Sequence, residues 1–397
     1  MILHLDILAA ICLFAQLVST LELQPYQQAF ERPPRKHSSA NKHANKLLSQ
    51  HLLIDTHNDL PMTLAFELDG KINNLNLTKL DWGHTDIVRL RQGHLGGQFW
   101  SVYYDCEDTA ANQVLKAMES IDVIKRMADL YPESFRIATS SKDFVRAWRH
   151  GYIASAMGME GGQMIDSNMA VLRLFYDLGI RYMTLTHNCH TPWAESCCDQ
   201  NAPPFTKGLG LTEFGKKIIL EMNRLGMMVD ISHVAHSTMN AVLDITRAPV
   251  LFSHSSSNAI CNIERNVPDN VLQRLNETDG VVMVNFYSYF VQCDPTKEAT
   301  LSDVADHIEH IASVAGRQHV GIGSDYNGIE KTPRGLEDVT KYPDLFTELI
   351  RRGWSNRDLV GLAGKNLLRV WKKVESVSKS LRKDGELPLE DKIADYI

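Results

Sequence analysis

The chain has 397 residues, of which 44% are hydrophobic and 22% are charged, and its formal net charge is -7 at pH 7. This composition is typical of a soluble globular protein, and the acidic balance excludes the basic surface that nucleic-acid-binding proteins need. The length exceeds that of an ordinary domain but suits a single (β/α)8 barrel. We therefore expect one large core and no nucleic-acid partner.

Residues 1–20 have the pattern of a signal peptide. Their apolar run, ILAAICLFAQLV at residues 7–18, has the length of a signal-peptide core and is short for a bilayer span. Ser19 and Thr20 follow as a cleavage site. Because Asp6 precedes the run and no Lys or Arg does, an uncleaved membrane anchor is the alternative. Residues 21–48 are a polar lead-in that we expect to be loosely ordered.

Eight short apolar or β-branched runs follow, and helical patterns separate them. The runs lie at residues 52–57, 97–104, 152–159, 181–187, 226–232, 248–253, 280–287 and 319–324. Strands that alternate with helices predict a parallel sheet, and eight such units predict a closed α/β barrel of the (β/α)8 type. We assign the barrel to residues 49–375 and a charged C-terminal tail to residues 376–397.

Two of the segments between these runs have clear helical periodicity. In the first, apolar residues fall on one face and Gly226 follows as a C-terminal cap: Phe214, Ile218, Met222 and Leu225. The second, at residues 301–316, places His307 and His310 away from its apolar stripe. We predict that these two histidines are solvated.

Polar residues stand where the predicted strands end, which is where (β/α)8 barrels carry their chemistry. They are His57, Asp59, Glu160, His187, His233, His254 and Asp325. A single histidine in such a place is more often a hydrogen-bonded loop residue, but histidines and acids at equivalent positions of several strands predict a shared site. His57 and Asp59 are two residues apart in an extended segment, so their side chains point to one side and can hold one cation.

Imidazole and carboxylate ligands without thiolate suit zinc, and one carboxylate can bridge two ions about 3.5 to 4 Å apart. We expect two Zn²⁺ ions per subunit, with His57 and Asp59 on one ion and His233 and His254 on the other. A water between two such ions loses a proton near neutral pH and can attack a polarised carbonyl as hydroxide. The pattern therefore predicts a metal-dependent hydrolase.

Cysteine usage favours an exported protein. Apart from Cys12 the chain has six cysteines, none in a CxxC spacing, and an even number predicts disulfides in an oxidising compartment. Asn76 and Asn276 begin glycosylation sequons. We expect an extracellular protein, secreted or associated with the cell surface. Residues 383–397 have no hydrophobic tail of the kind that a lipid-anchor signal needs, so membrane association is not expected by that route.

Several motifs together carry a family resemblance: DTHNDLP, GGQFWSVY, GMEGG, LTHNCHTPW, DISHV, FSHSS, RNVPD and GSDYNG. Over residues 50–375 the chain resembles the membrane (renal) dipeptidases, zinc enzymes of the dehydropeptidase family. The resemblance implies a metallo-dipeptidase with a (β/α)8 fold. It also implies substrates that include dipeptides with a dehydro- or D-residue at the C-terminal side, cystinyl-bis-glycine and leukotriene D4-like molecules.

The resemblance also implies roles for individual residues. The zinc ligands are expected at His57, Asp59, Glu160, His233 and His254, with Glu160 as the bridge. Substrate contacts are expected at His187, Arg265 and Asp325. Chemically, Arg265 offers a fork for the substrate carboxylate, Asp325 can accept the ammonium or carry a proton, and His187 can stabilise an oxyanion.

The cysteines agree with the resemblance only in part. It implies that Cys106 pairs with Cys189 and that Cys261 pairs with Cys293. The adjacent Cys197 and Cys198 have no family counterpart, and their state stays open. No cysteine follows Cys293, so we expect a noncovalent homodimer instead of the family's disulfide-linked one.

A second departure lies after Asp325, where Asn327 stands in the place of an expected second acid. This change affects the expected substrate preference but not the metals.

Two other functions fit parts of the sequence. A barrel enzyme that acts on cyclic amides or deaminates bases would open with His-x-His, whereas this chain has His57 and Asp59 at that spacing. A metal-free binding protein would have no need of the whole ligand set. The metal content, together with release of glycine from a dipeptide without ammonium, separates the three functions.

Overall fold

Parallel strands and helices alternate along the chain. The computed structural model describes residues 39–106, 110–199 and 208–396. The predicted signal peptide and residues 21–38 of the predicted lead-in lie outside these ranges. Within them, no helix is both long enough and apolar enough to cross a membrane.

The strands are β1 Leu53–Asn58, β2 Leu95–Tyr103, β3 Phe135–Ile137, β4 Ile153–Glu160, β5 Ile180–Thr184, β6 Met228–Asp230, β7 Val250–Phe252, β8 Val281–Val284 and β9 Val320–Ile322. They pair in the order β1-β2-β4-β5-β6-β7-β8-β9. Asn58 at the end of β1 forms a bridge with Tyr326, which follows β9. The result is a nearly closed eight-stranded parallel barrel, which confirms the predicted (β/α)8 fold.

The helices are α1 Ser39–Gln50, α2 Leu60–Leu68, α3 Ile87–Gln92, α4 Ala110–Leu130, α5 Ser141–Arg149, α6 Met169–Leu178, α7 Glu213–Leu225, α8 His236–Ile245, α9 Asp269–Thr278, α10 Ser288–Val291, α11 Leu301–Val314, α12 Tyr342–Arg351, α13 Asn356–Val360 and α14 Asn366–Lys383. A π-helical turn, Gly361–Lys365, joins α13 to α14. Each of the eight predicted runs contains a barrel strand or overlaps one. The sequence analysis missed β3, which has three residues and pairs only with the start of β4.

Both faces of the barrel strands are covered, as is usual for parallel sheets. All residues of β1 and β4 are buried. Inside the barrel, Gly158 of β4 leaves room for the ring of Tyr182, since a Cβ at Gly158 would lie 1.9 Å from that ring. The tyrosine that fills this space reaches the end of β1, where the candidate site begins.

The predicted apolar face of α7 is confirmed. Its four predicted core residues are buried, and the side chain of Thr212 caps the helix by accepting a hydrogen bond from the backbone N–H of Gly215. The helix ends at Gly226, whose φ of 89° lies in the left-handed region that glycine adopts without strain. Local sequence signals therefore set both ends of this helix.

The prediction that His307 is solvated is wrong. His307, on α11, is 0% exposed. Its Nδ1 accepts a hydrogen bond from the backbone N–H of Ser257 (2.9 Å), and its Nε2 donates to the carbonyl of Val291 (3.1 Å). The polar side of this helix is covered by the loop that contains Ser257 and by α10, which ends at Val291. His310 is half-buried and lies 2.7 Å from the carboxylate of Asp269.

Both ends of the barrel extend further than the sequence predicts. Helix α1 begins inside the predicted lead-in, and it is ordered because Ala44, Leu47 and Leu48 are buried in the core. At the other end, α14 continues to Lys383, so the predicted boundary at residue 375 falls within a helix.

Candidate metal and active site

The structure brings the predicted site residues together at the C-terminal end of the barrel. His57 lies in β1 and Glu160 ends β4, while the others lie in loops that follow strands: Asp59, His187, His233, His254 and Asp325. His233 and Asp325 have positive φ angles of 61° and 71°. Non-glycine residues rarely adopt this conformation, and when they do it is often at functional sites.

The carboxylate of Glu160 lies between two groups of donor atoms. Its Oε2 is 3.3 Å from Nε2 of His57, which is itself 3.3 Å from Oδ2 of Asp59. Its Oε1 is 3.1 Å from Nε2 of His233 and 3.2 Å from Nε2 of His254. Such spacings are what ligands show when they share an ion about 2.0 to 2.2 Å from each of them. The two oxygens of one carboxylate thus face two separate sets of ligands.

Hydrogen bonds at Nδ1 determine which nitrogen of each imidazole faces Glu160. Nδ1 of His57 lies 3.0 Å from the hydroxyl of Tyr182, and that hydroxyl donates to the carbonyl of Thr56. Nδ1 of His233 lies 3.3 Å from Oδ1 of Asn188. Because both neighbouring oxygens act as acceptors, each Nδ1 carries a proton, and a neutral ring then presents the lone pair of Nε2 to Glu160.

His254 is held in the same way. Its Nδ1 lies 2.8 Å from Oγ of Ser253, and that hydroxyl donates to the carboxylate of Asp230. Its Nε2 lies 2.9 Å from Nε2 of His233. Two lone pairs at this distance repel each other unless a cation or a proton lies between or beside them.

Unpartnered atoms show that the site suits a cation. Nε2 of His57 and both carboxylate oxygens of Asp59 are buried and have no hydrogen-bond partner. Buried polar groups normally find partners, so atoms left in this state need an explanation such as an ion. Three overlapping groups in the described part of the chain have the spacing of metal ligands: His57, Glu160 and His254; Glu160, His187 and His233; and His57, Asp59 and Asp325. The residues present therefore fit zinc.

Protonation states agree with this fit. Burial holds the pKa of His233 well below its ordinary value, and the charge of Arg265 lowers it further. Burial, together with His57 and Arg265, does the same for the pKa of His254. Burial opposes ionisation of Glu160, yet the charge of His57 and hydrogen bonds from the histidines hold its pKa well below the usual range. These neutral imidazoles and this ionised carboxylate are in the states that bind metal.

His57 behaves differently from the other two histidines. Burial opposes its protonation, but Glu160, Tyr182 and Asp59 outweigh burial and raise its pKa well above the ordinary value. A proton on His57 is then the positive charge nearest to the two acids. This result indicates that the site as a whole requires positive charge, which metal ions supply when they bind.

A cavity of about 290 Å³ opens beside these ligands, at the low end of the range for small-molecule sites. It is lined by Asp59, Met62, Tyr103, Glu160, His187, Asn188, His233, Tyr287, Phe290, Asp325, Gly328, Ile329 and Glu330. Nδ1 of His187 has no hydrogen-bond partner, and its Nε2 lies 3.9 Å from Oε1 of Glu160. Burial lowers the pKa of His187, so a neutral imidazole is available to a ligand.

Arg265 lies against the wall of this cavity. It is 3% exposed, and its guanidinium lies 5.4 Å from the ring centre of Phe290. Its Nη1 and Nη2 donate to Oγ of Ser255 and to the carbonyl of His254, each at 2.8 Å, while Nε has no partner. Burial lowers its pKa to about 10, so the charge is retained at neutral pH. Arg265 thus places a positive charge beside the cavity without lining it, and its contact with a substrate stays a prediction.

Asp325 lies beside the first group of ligands, with its Oδ1 4.0 Å from Nε2 of His57. Gly328 leaves room for both acids, since a Cβ there would lie 2.4 Å from Oδ2 of Asp59 and 2.8 Å from Oδ1 of Asp325. Asn327, which stands where a second acid was expected, contacts His84. Its Oδ1 accepts a hydrogen bond from the backbone N–H of His84, and its own backbone N–H donates to Nδ1 of His84. Asn327 therefore fixes the loop that carries Asp325.

Two disulfides connect the loops around the site. Cys106 is bonded to Cys189, two residues after His187, and Cys261 is bonded to Cys293. Both implied pairings are confirmed. The second bond ties the loop of Arg265 to the segment after β8.

Cys197 and Cys198, whose state the sequence left open, form a disulfide between adjacent residues. The backbone N–H of Cys197 donates to the carbonyl of His233 at 2.9 Å. This disulfide therefore lies next to a candidate ligand.

Sequence analysis missed the residues that hold the ligands in place. Tyr182 orients His57, and Oγ of Ser101 donates to Oε2 of Glu160 at 3.1 Å. Asp230 accepts hydrogen bonds from Ser253 and other residues of the loops. Of these three residues, only Asp230 could have been recognised from the sequence, because it is an acid within an apolar strand, three residues before the candidate ligand His233. The other two look like ordinary strand residues.

Comparison with known proteins places the chain in a family. The family model described as membrane dipeptidase, peptidase family M19, matches residues 41–385. An uncharacterised dipeptidase of Schizosaccharomyces pombe is 45% identical over 360 residues, which cover 87% of this chain and 86% of that protein.

Solved structures agree with this assignment. A dipeptidase AC, described as a metallopeptidase of family M19, superposes with a TM-score of 0.75 at 25% identity, covering 82% of this chain and 98% of that chain. The probable dipeptidase PvdM from Pseudomonas aeruginosa has the same fold, with a TM-score of 0.78 at 22% identity over 87% of this chain and 100% of that chain. The chain belongs to the membrane dipeptidase family, peptidase family M19, and is a metallo-dipeptidase.

Proposed function

We propose that the protein hydrolyses free dipeptides with two bound Zn²⁺ ions. His57, Asp59 and Glu160 would hold one ion, and His233, His254 and Glu160 would hold the other. The observation that carries this proposal is the division of the Glu160 oxygens between two ligand groups. Zinc bound there supplies Lewis-acid activation of the scissile carbonyl and of the attacking water.

The residues around the cavity bind the two ends of the substrate. The carboxylate of Asp325 accepts the substrate ammonium, and the guanidinium of Arg265 donates to the substrate carboxylate through N–H groups that the protein does not use. Two charged anchors set the distance across one peptide bond. A tripeptide would place its carboxylate about 3.5 Å further along, so dipeptides are preferred.

Two side chains act on the reacting atoms. His187, which is neutral and has an unpartnered Nδ1, donates a hydrogen bond to the oxygen of the carbonyl as negative charge develops there. Asp325 carries a proton from the attacking water to the nitrogen of the leaving amine. The substrates proposed for this site are those that the sequence motifs imply: dipeptides with dehydro- or D-residues at the C-terminal side, cystinyl-bis-glycine and leukotriene D4-like molecules.

Metal content and product analysis test this function together. The purified protein should contain two zinc ions per chain and should release glycine, without ammonium, from a saturated dipeptide such as Gly-D-Phe. Removal of zinc by a chelator should abolish hydrolysis, and added Zn²⁺ should restore it. A deaminase would release ammonium, and a binding protein would contain no zinc and release neither product. Either outcome would reject the proposal.

We also propose that the protein is exported, glycosylated and a noncovalent dimer. Three disulfides and the exposed side chains of Asn76 and Asn276 support export and glycosylation. Non-reducing peptide mapping of protein secreted by its native host should find all three disulfides and glycans on both asparagines. Sedimentation should give twice the mass of the glycosylated chain. Free thiols throughout, or a monomer, would contradict the corresponding part of the proposal.

A further inference from the structure

A second cavity lies at the opposite end of the barrel from the candidate active site. Its volume is about 490 Å³, which is within the range of small-molecule sites. Residues 51 and 52, just before β1, contribute to it, together with α5, which precedes β4, and the chain from α13 to α14. Residues 51 and 52 and α5 precede strands, and Arg369 on α14 donates to the carbonyls of Asp279 and Gln318, which precede β8 and β9, so the cavity is at the N-terminal end of the barrel.

The wall of this cavity is apolar. It is formed by Leu52, Val145, Trp148, Val360 and Leu368. Leu52, Val360 and Leu368 are each 8% exposed and belong to the edge of the core, while Val145 and Trp148 are half-buried. An apolar ligand here would remove these side chains from water, at about 25 cal/mol per Å² of buried surface.

The rim of the same cavity is cationic. It is formed by His51, Arg149, Lys365, Arg369 and Lys372, and no carboxylate among the described residues lines the cavity. Arg369 forms an ion pair with Asp279 and donates to backbone carbonyls. Within the described ranges, Arg149, Lys365 and Lys372 are exposed and form no ion pair. This concentration of positive charge contrasts with the net charge of -7 for the chain.

Lysine and arginine often lay their aliphatic stems over apolar surface and keep their charges in water. That behaviour explains why the charges lie at the rim. It does not explain why the apolar wall below them is not filled by another side chain of the described residues. Like charges gathered at one opening also repel each other, and an anion would relieve this repulsion. Both features are explained by a ligand with an apolar chain and an anionic head.

We propose that this cavity binds a small amphipathic anion. Its single alkyl chain packs against Trp148 and the aliphatic wall, and its carboxylate or phosphate head lies among Arg149, Lys365 and Lys372. Charged hydrogen bonds of this kind are about twice as strong as neutral ones. The site is separate from the candidate active site and does not depend on the proposed substrates.

Titration of the full-length zinc-containing protein with monomeric dodecanoate tests the proposal. Binding is followed by the fluorescence of Trp148, as the difference from Trp148→Phe, and by calorimetry. We expect saturable binding of one dodecanoate per chain and binding of dodecyltrimethylammonium that is weaker by about tenfold or more, because the head charge is reversed. Vesicles of phosphatidylglycerol form a separate arm, which distinguishes a free amphiphile from a lipid surface.

Charge reversal at the rim provides the matched comparison. The double variant Lys365→Glu/Lys372→Glu should weaken dodecanoate binding by about tenfold or more. Lys373→Glu is the control, since Lys373 is exposed on α14 but does not line the cavity. Dipeptide hydrolysis should be unchanged in all of these variants, which shows that they are folded.

Three results would overturn the proposal. The first is no saturable binding of dodecanoate, or binding of the cationic analogue with equal affinity. The second is equal affinity in the double variant and in Lys373→Glu. The third is binding to the vesicles without binding to the monomeric anion.

Discussion

Two buried histidines in different regions of this molecule differ in what their ring nitrogens contact. In the outer layer of helices, His307 is fully buried, and backbone groups of Ser257 and Val291 satisfy both of its nitrogens. At the C-terminal end of the barrel, His57 is equally buried, but its Nε2 has no hydrogen-bond partner and faces acids. A ring nitrogen left unsatisfied, and not burial itself, is what distinguishes the functional imidazole.

The pKa values of His57 and His307 also shift in opposite directions. Burial lowers the pKa of His307 to about 4, only partly opposed by its hydrogen bond to Val291 and by nearby acids. Burial acts in the same way on His57, but the charge of Glu160 and its neighbours raises the pKa of His57 well above the ordinary value. The opposite shifts of these two residues show that nearby acids can outweigh burial at His57, whereas burial dominates at His307, as it also does at His233 and His254.

The largest loss of activity is expected from substitution of Glu160, whose carboxylate faces the unsatisfied ring nitrogen of His57. Glu160→Gln removes the charge that faces both ligand groups, so kcat/KM should fall by about a thousandfold or more and zinc content should drop below two ions per chain. Dipeptide turnover and metal analysis on the same preparation measure both quantities.

Glu67→Gln is the matched control, because Glu67 is exposed and lies outside the candidate site. It should keep full activity and both ions. If Glu160→Gln kept near-normal turnover with its fold intact, the role of Glu160 at the end of β4 would be structural.

The next effect is expected at Arg265, the cation of the functional region. Arg265→Leu removes one partner of a buried charged hydrogen bond, so binding of a free dipeptide should weaken by about 2 to 5 kcal/mol, whereas its amide should lose far less. The measurement is kcat/KM for Gly-dehydroPhe, its amide and a matched tripeptide in both proteins. Equal losses for acid and amide, or good tripeptide turnover by the unmodified enzyme, would refute the two-anchor site.

Burial of His307 should make the stability of the folded protein depend on pH. The pKa of His307 is about 4 in the folded protein and about 6.5 when unfolded, so only the unfolded chain takes up this proton between those values. Its contribution to stability is complete above pH 6.5 and is lost as pH falls toward 4, up to about 3 kcal/mol.

Urea unfolding at several pH values should therefore show a smaller loss of stability below pH 6.5 in His307→Gln than in the unmodified protein. Ser313→Ala on the same helix is the control, because Ser313 is exposed and has no titratable side chain. Parallel curves for His307→Gln and the unmodified protein would show that this imidazole is not kept neutral by burial.

The smallest effect is expected from the group that orients His57. Tyr182→Phe removes the hydroxyl that accepts the Nδ1 proton, so zinc affinity should fall by about 10- to 100-fold, as is usual for outer partners of metal ligands. Competition with a zinc-binding dye measures the affinity, and Tyr152→Phe, a half-buried tyrosine outside the site, serves as the control. An unchanged affinity in Tyr182→Phe would mean that packing alone orients His57.

The sequence alone was sufficient to predict the site residues that lie at the ends of the strands. A (β/α)8 barrel gathers strand ends at one rim, so His57, Glu160 and His254 could be predicted to meet from the strand pattern alone. His307 was misjudged because a helical pattern shows which face is apolar but not which loops cover the other face. Tyr182 could not be found because it contacts His57 across the barrel interior, at a separation of 125 positions in sequence.

Anomalous diffraction at the zinc absorption edge, on crystals of the unmodified protein, tests the two-ion site most directly. We predict two peaks about 3.5 to 4 Å apart on either side of the Glu160 carboxylate. One should lie beside His57 and Asp59, and the other beside His233 and His254. A single peak, or peaks that do not flank Glu160, would contradict the assignment of Glu160 as the bridge between two zinc ions.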